Sequence, residues 1–214
     1  FFALLDVDNL LEHDGYLFAD DFVVFDEAHT LETVASNQLG LRLTQAGLRF
    51  DLQRLHNPRS RKGLLRSLGA GKAMAAVERA LAESEEFFDL LGEVSEFGDH
   101  GREFRVREPE VVPNSLAAPL RELCADLGSL ADTIDNETTR AEVQEGARRI
   151  QDAHTAVRMF LDQEDEGCVY WVEAGGAERT SYAMRAAPID VAERLGPLLF
   201  AEGKTAVLTS ATLG

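Results

Sequence analysis

Phe22-Val23-Val24-Phe25-Asp26-Glu27-Ala28-His29 is the stretch that decides how this chain is read. Four consecutive apolar residues suit a strand buried on both faces, as in a parallel sheet. Two carboxylates follow at once, at the strand end where open α/β sheets bind their ligands. An unpaired carboxylate is costly to bury, so two adjacent ones call for a metal or for polar partners. An aspartate there can hold Mg2+, and the glutamate beside it can orient or deprotonate a water molecule. Carboxylates after a strand can also do no more than cap the next helix. The tetrapeptide alone leaves both readings open.

A second stretch, Thr205-Ala206-Val207-Leu208-Thr209-Ser210-Ala211-Thr212-Leu213, repeats the pattern with hydroxyls in place of carboxylates. Alone it reads as a plain strand followed by a Ser/Thr turn. Hydroxyls can, however, hydrogen-bond the carboxylates of a neighbouring strand tip. The two strands are therefore expected as parallel neighbours, with the chain between them forming a long excursion.

Asp26-Glu27-Ala28-His29 resembles motif II, and Ser210-Ala211-Thr212 resembles motif III, of superfamily-two helicases. The flanking Phe1-Phe2-Ala3-Leu4-Leu5, Thr30-Leu31-Glu32 and Ala187-Pro188-Ile189-Asp190-Val191 are similar to the DinG/XPD branch. The resemblance implies a mainly α fold with a small α/β part, a helical arch domain inserted between strands of a partial RecA-like P-loop NTPase domain. It implies residues 1–39 as part of the first RecA-like domain, 40–166 as the arch and 167–214 as the return. It further implies a parent protein that is a cytoplasmic ATP-dependent DNA helicase moving 5′ to 3′ in repair or replication. Its cofactors would be ATP and Mg2+, its track single-stranded DNA, and its arch a surface for protein partners. By the same resemblance Asp26 coordinates Mg2+ and Glu27 activates water. His29 couples hydrolysis to the rest of the site, and Ser210 and Thr212 link hydrolysis to strand movement. Members of the branch can carry an iron–sulfur cluster. Cys124 and Cys168 have no CxxC spacing and form neither a zinc site nor a four-cysteine cluster, so they read as packing residues.

Composition limits the reading. The chain has 214 residues, 45% hydrophobic and 28% charged, which is ordinary for globular domains with real cores. No apolar run approaches the length of a membrane span. The net charge of −17 repels phosphate backbones, so DNA contact would come from local basic patches or from parts outside this chain. The most basic stretch carries Arg54, Arg59, Arg61, Lys62 and Arg66 around the loop Asn57–Gly63. It reads either as a phosphate-contacting edge or as a solvated loop balancing an acidic protein. The acidity favours an alternative function, a non-catalytic helical module for protein interaction.

Two stretches imitate a phosphate loop. Before Gly69-Ala70-Gly71-Lys72-Ala73 the required earlier glycine position holds Arg66, and Ala73 replaces the final hydroxyl. Before Gly203-Lys204-Thr205 that position holds Leu198, and a strand follows where a helix should. With no phosphate cradle, no initiating methionine and an end just past the second motif, the chain reads as an excised fragment, inactive by itself.

Between the motifs helical spacing dominates. Helices are expected at Phe1–Leu11, at His29–Asn37 with Gly40 as stop, and from a Thr44 cap to Leu55 through Leu48 and Leu52. A long helix is expected over Met74–Phe97, with the stripe Met74, Val77, Leu81, Phe88, Leu91, widened by Phe87 and Leu90. Phe104 and Val106 alternate with arginines as a short strand. Asn114 or Ser115 caps a helix through Leu116, Leu120, Leu123 and Leu127, and a break at Asn136 leads to a helix through Val143, Ile150, His154, Val157 and Leu161. The pair reads as an antiparallel helical hairpin, with His154 as a hydrogen-bonded core residue. A β-hairpin about Gly175-Gly176 and a helix opened by Pro188 complete the excursion.

Overall fold

The computed structural model describes residues 22–98, 101–176, 180–199 and 205–211. The helix expected at Phe1–Leu11 lies outside them. In chain order the elements are β1 (Phe22–Phe25), a 3-10 turn (Ala28–Thr30), α1 (Leu31–Leu39), β2 (Leu41–Thr44), α2 (Gln45–Leu55), α3 (Leu64–Ser67) and α4 (Gly71–Val94). There follow β3 (Glu103–Val106), α5 (Ala117–Ala131), α6 (Glu137–Asp162), β4 (Cys168–Gly175), β5 (Ser181–Pro188), α7 (Val191–Leu199) and β6 (Thr205–Leu208). The fold is mainly α with a small α/β part. No helix among the described residues is long and apolar enough to cross a membrane.

The chain divides into two compact units. One comprises residues 1–41, 165–169 and 186–214; the other comprises 42–164 and 170–185. The division read from sequence ran the whole β-hairpin with the returning segment. The body of the hairpin instead groups with the helical unit, because β5 and β4 are the middle strands of a four-stranded sheet ordered β2-β5-β4-β3.

In the first unit β1 and β6 pair in parallel, Phe22 against Thr205 through Phe25 against Leu208. The expectation that these strands are neighbours therefore holds. Phe25 is buried with Ala35 of α1 and with Val191 and Leu195 of α7, and Leu31, Leu39 and Ala206 pack around them. α7 starts where Asp190 accepts hydrogen bonds from the backbone N–H groups of Ala192 and Glu193, an aspartate cap that satisfies two orphan donors. The sequence reading opened this helix at Pro188, which instead ends β5.

The second unit is built on α2, α4, α5 and α6. Thr44 caps α2 as expected, its Oγ1 accepting from the N–H of Gly47 at 2.9 Å, and Leu48, Leu52 and Leu55 are buried. In α4 the buried stripe is Ala73, Ala76, Val77, Ala80, Phe87, Phe88 and Leu91, whereas Leu90 is exposed. Alanines hold the early turns of the stripe because α4 packs against both α2 and α5. The expected cap at Asn114 or Ser115 is not made; the residue before α5 is Leu116, itself buried, and no side chain caps the helix. α6 does have a cap, Asn136 Oδ1 accepting from the N–H of Thr139 at 2.9 Å. α5 and α6 form the expected helical hairpin, with Leu120, Leu123 and Leu127 on one side and Val143, Ile150 and Val157 on the other. His154 is only half-buried, and Ala153 beside it takes the buried position.

Candidate functional site

The first unit brings the two sequence motifs together at the carboxyl ends of β1 and β6. The parallel register stops at Phe25 and Leu208, so Asp26 and Thr209 leave the sheet side by side. Backbone bonds prolong the pairing: the N–H of Thr209 donates to the carbonyl of Phe25 at 2.8 Å, and the N–H of Ala28 donates to the carbonyl of Thr209 at 2.9 Å. Two side-chain bonds then link the motifs directly. Thr209 Oγ1 donates to Asp26 Oδ1 at 2.8 Å, and His29 Nδ1 lies 2.9 Å from Ser210 Oγ.

Asp26 Oδ1 also accepts from the backbone N–H of Glu27 at 3.0 Å. The hydroxyl of Thr209, and after it this N–H, hold the Asp26 carboxyl below its ordinary range, since both bonds favour the charged form. Both bonds fall on one oxygen, so Oδ2 stays available to a ligand. Among the described residues no group of three or more His, Cys, Asp or Glu could hold a metal ion by itself. Mg2+ at a nucleotide site needs only one or two carboxylates, with phosphates and water completing the shell. An exposed, ionised Asp26 fits that role.

Glu27 has φ 52° and ψ 47°, the left-handed region that a side chain with Cβ enters at a cost of about 1–2 kcal/mol. The carbonyl of Glu27 accepts from both the N–H and the hydroxyl of Thr30, each at 2.9 Å, which locks the turn. This backbone reversal breaks the path from strand to helix, and the Glu27 side chain is exposed. His29 Nδ1 lies 3.3 Å from Glu27 Oε2. Its hydrogen bond is with the Ser210 hydroxyl, which can donate or accept, while the Glu27 carboxylate stands close by. The histidine thus bridges the two motifs while Nε2 remains free.

Thr212 lies outside the described residues. Thr209 was not singled out in the sequence, although it makes the direct bond to Asp26. Levelling the two motifs at the ends of their strands, Phe25 with Leu208, would have found it.

Of the basic residues, Arg54, Arg59, Arg61, Lys62 and Arg66 all lie on the second unit and are all exposed. None makes an ion pair with another described residue, whereas Arg49, Lys72, Arg79, Arg148 and Arg149 all do. The loop that carries three of them is shaped, not slack. Asn57 Oδ1 accepts from the N–H groups of Arg59 and Ser60 at 3.0 Å each, and the N–H of Asn57 donates to the carbonyl of Lys62 at 2.8 Å. Gly63 closes the loop at φ 132°, where a side chain would meet the Leu55 carbonyl and the His56 Cα. The two cysteines are free thiols, each partly buried. Burial pushes the Cys124 thiol up to about 11 and also raises that of Cys168.

No protein-family model matches the chain, and no curated protein matches it. Among solved structures, the chain is similar to Xpd4 of S. tokodaii at 15% identity and a TM-score of 0.46. That match covers 99% of this chain and 38% of the S. tokodaii chain.

Proposed function

We propose that this chain belongs to an ATP-dependent DNA helicase of the DinG/XPD kind, carrying motif II, the helical arch and motif III of its first motor domain. The observation that carries the reading is the pair of bonds across β1 and β6, Thr209 to Asp26 and His29 to Ser210. Two segments 183 residues apart have no structural need to exchange polar bonds at a strand end. A site that must register the state of a bound nucleotide does have that need.

In this reading Asp26 would hold Mg2+, which when bound would supply charge stabilisation for phosphoryl transfer. Glu27, exposed beside Asp26, accepts the proton of the attacking water or fixes its orientation. His29 passes a change at Glu27 to Ser210, and so to the β6 strand. Thr212 would stand with Ser210 in the same role. Phosphate binding and the second motor domain would come from elsewhere in the parent protein. The exposed apolar side chains of Phe22, Val24, Val207 and Leu208 support this, because a parallel pair with bare faces calls for further covering layers. The basic edge from Arg54 to Arg66 would contact the single-stranded track. An iron–sulfur cluster in the parent would be held by residues outside this chain, and the cell compartment would be the cytoplasm.

The test is ATP hydrolysis. The chain by itself is expected to release no phosphate. The parent protein, with a phosphate loop and second motor domain, is expected to hydrolyse ATP faster with single-stranded DNA, and Glu27→Gln is expected to abolish that rate. DNA-stimulated turnover that survives Glu27→Gln would contradict the assignment. The net charge of −17 favours a second reading, a non-catalytic module that binds protein partners through its helices.

A further inference from the structure

A cavity of about 630 Å3 opens in the second unit between α2, α3 and α6. Its floor is apolar, made by Leu55, Leu64, Ala141 and Gly146. Its charged lining falls into two groups. Asp51 and Glu145 are both bonded to Arg149, at 3.1 and 2.9 Å, and are neutralised there. Arg54, Glu142 and Thr138 also line the cavity, are exposed, and make no side-chain bond to another described residue. One free guanidinium, one free carboxylate and one free hydroxyl thus stand over an apolar floor. Leu64 lies two residues from both Lys62 and Arg66, so the basic stretch borders the cavity in sequence.

We propose that this cavity receives a guanine base extruded from a single DNA strand whose phosphates lie along Arg59, Arg61, Lys62 and Arg66. The volume falls within the range of pockets that enclose a small ligand. A lone aliphatic side chain from a protein partner would cover Arg54 and Glu142 without pairing them, which is costly. Guanine meets both charges at once. Its O6 and N7 accept from an arginine fork, and its N1–H and exocyclic amino group donate to a carboxylate. Adenine and cytosine each lose part of that set, and thymine has no amino group to offer. The lining holds no aromatic ring, so retention depends on these edge bonds and not on the stacking common to sequence-indifferent sites. The inference rests on the helicase reading only in taking a single strand as ligand.

The experiment is fluorescence anisotropy on this chain with labelled twelve-nucleotide oligothymidylate. It is repeated with one central thymidine replaced by guanosine, adenosine or cytidine, and with free dGMP as competitor. The guanine strand is expected to bind at least about tenfold tighter than the others. Ala141→Phe, which puts a large side chain into the lining, is expected to erase that preference. Glu142→Gln, which keeps the shape, is expected to reduce the preference. Equal affinity for all four strands, or a preference that survives Ala141→Phe, would overturn the pocket while leaving the motor assignment to its ATPase test. Binding of dGMP as tight as that of the strand would overturn the strand assignment. So would a Glu-rich peptide that binds, is blocked by Ala141→Phe, and finds no strand to compete with it.

Discussion

Asp26 and Thr209 show how a single hydroxyl sets the state of the candidate site. The carboxylate is exposed, so burial contributes little, and its lowered pKa comes first from the Thr209 bond and then from the Glu27 N–H. Thr209→Val keeps the shape of the side chain and removes the donor. The Asp26 pKa is then expected to rise toward its ordinary value, read by the carboxyl 13C shift during an NMR titration. The sign follows from linkage. A depressed folded-state pKa contributes stability above the unfolded value, and that contribution is lost as pH falls through the folded value. The variant should therefore lose its acid dependence at this group without losing the fold. Ser210→Ala should leave Asp26 unmoved, because the bonds that lower the Asp26 pKa come from Thr209 and the Glu27 N–H. Most of this site was legible in the sequence: Asp26, Glu27, His29 and Ser210 all meet where the strands end. Thr209 escaped because it looks like the last residue of a strand, and its role appears only once the register is known. The left-handed backbone of Glu27 escaped for a different reason. Glutamate carries no preference for that conformation, which is imposed by Thr30 and by the β6 backbone.

At the scale of elements, caps and close approaches decide where helices begin and how tightly they dock. Asn136→Ala removes the one side-chain cap of α6 and should cost about 1 kcal/mol in urea denaturation. Gly92 is a sharper case. It lies in α4, where glycine costs about 1 kcal/mol relative to alanine, yet a Cβ there would overlap the ring of Tyr182. That ring cannot simply swing away, because it stacks on Phe97 with centroids 6.1 Å apart. Gly92→Ala should therefore destabilise by about 1–3 kcal/mol despite the gain in helix propensity, which the same denaturation assay would show. Glu145 gives the pH dependence of this unit. Hydrogen bonds from Arg148 and Arg149 lower its pKa from 4.5 to about 2. Its contribution is present above the ordinary value and is lost as pH falls toward the folded one. The ion pairs are solvent-exposed, so Glu145→Gln should cost less than about 1 kcal/mol at neutral pH. Helices with a regular leucine period were readable from sequence alone. β2 and α3 were not, because four residues are too few to show a period. The stripe of α4 was misplaced at Leu90 because buried alanines carry a weaker pattern than the leucines beside them.

At the scale of the whole molecule the governing fact is an acidic net charge of −17, against which unpaired cations among the described residues act locally. At a net charge of −17 the chain repels nucleic acid at long range, and only a local concentration of free cations can reverse this. The ion pairs separate held cations from unpaired ones. Arg49, Arg79, Arg148 and Arg149 are held by neighbouring carboxylates, whereas Arg54, Arg59, Arg61, Lys62 and Arg66, close together in sequence, make no ion pair with another described residue, as Arg42, Arg105, Arg107 and Arg121 also do not. Sequence alone could count these charges but could not tell free from paired, which is why the loop read equally well as a solvated counterweight. The difference is measurable through salt. If all five cations neutralise phosphates on a single strand, the logarithm of affinity should fall against the logarithm of salt with a slope of about −3.5. Reversing Arg59, Arg61 and Lys62 to Glu should flatten that slope to about −1.4 or less, since only two cations remain. A solvated loop with no role in binding would leave any residual slope untouched by the reversal. The acidic remainder of the surface adds a second signature. It repels the strand at low salt, so observed affinity should bend below the line there, and the bend should persist in the reversed variant because it arises from residues the reversal does not touch.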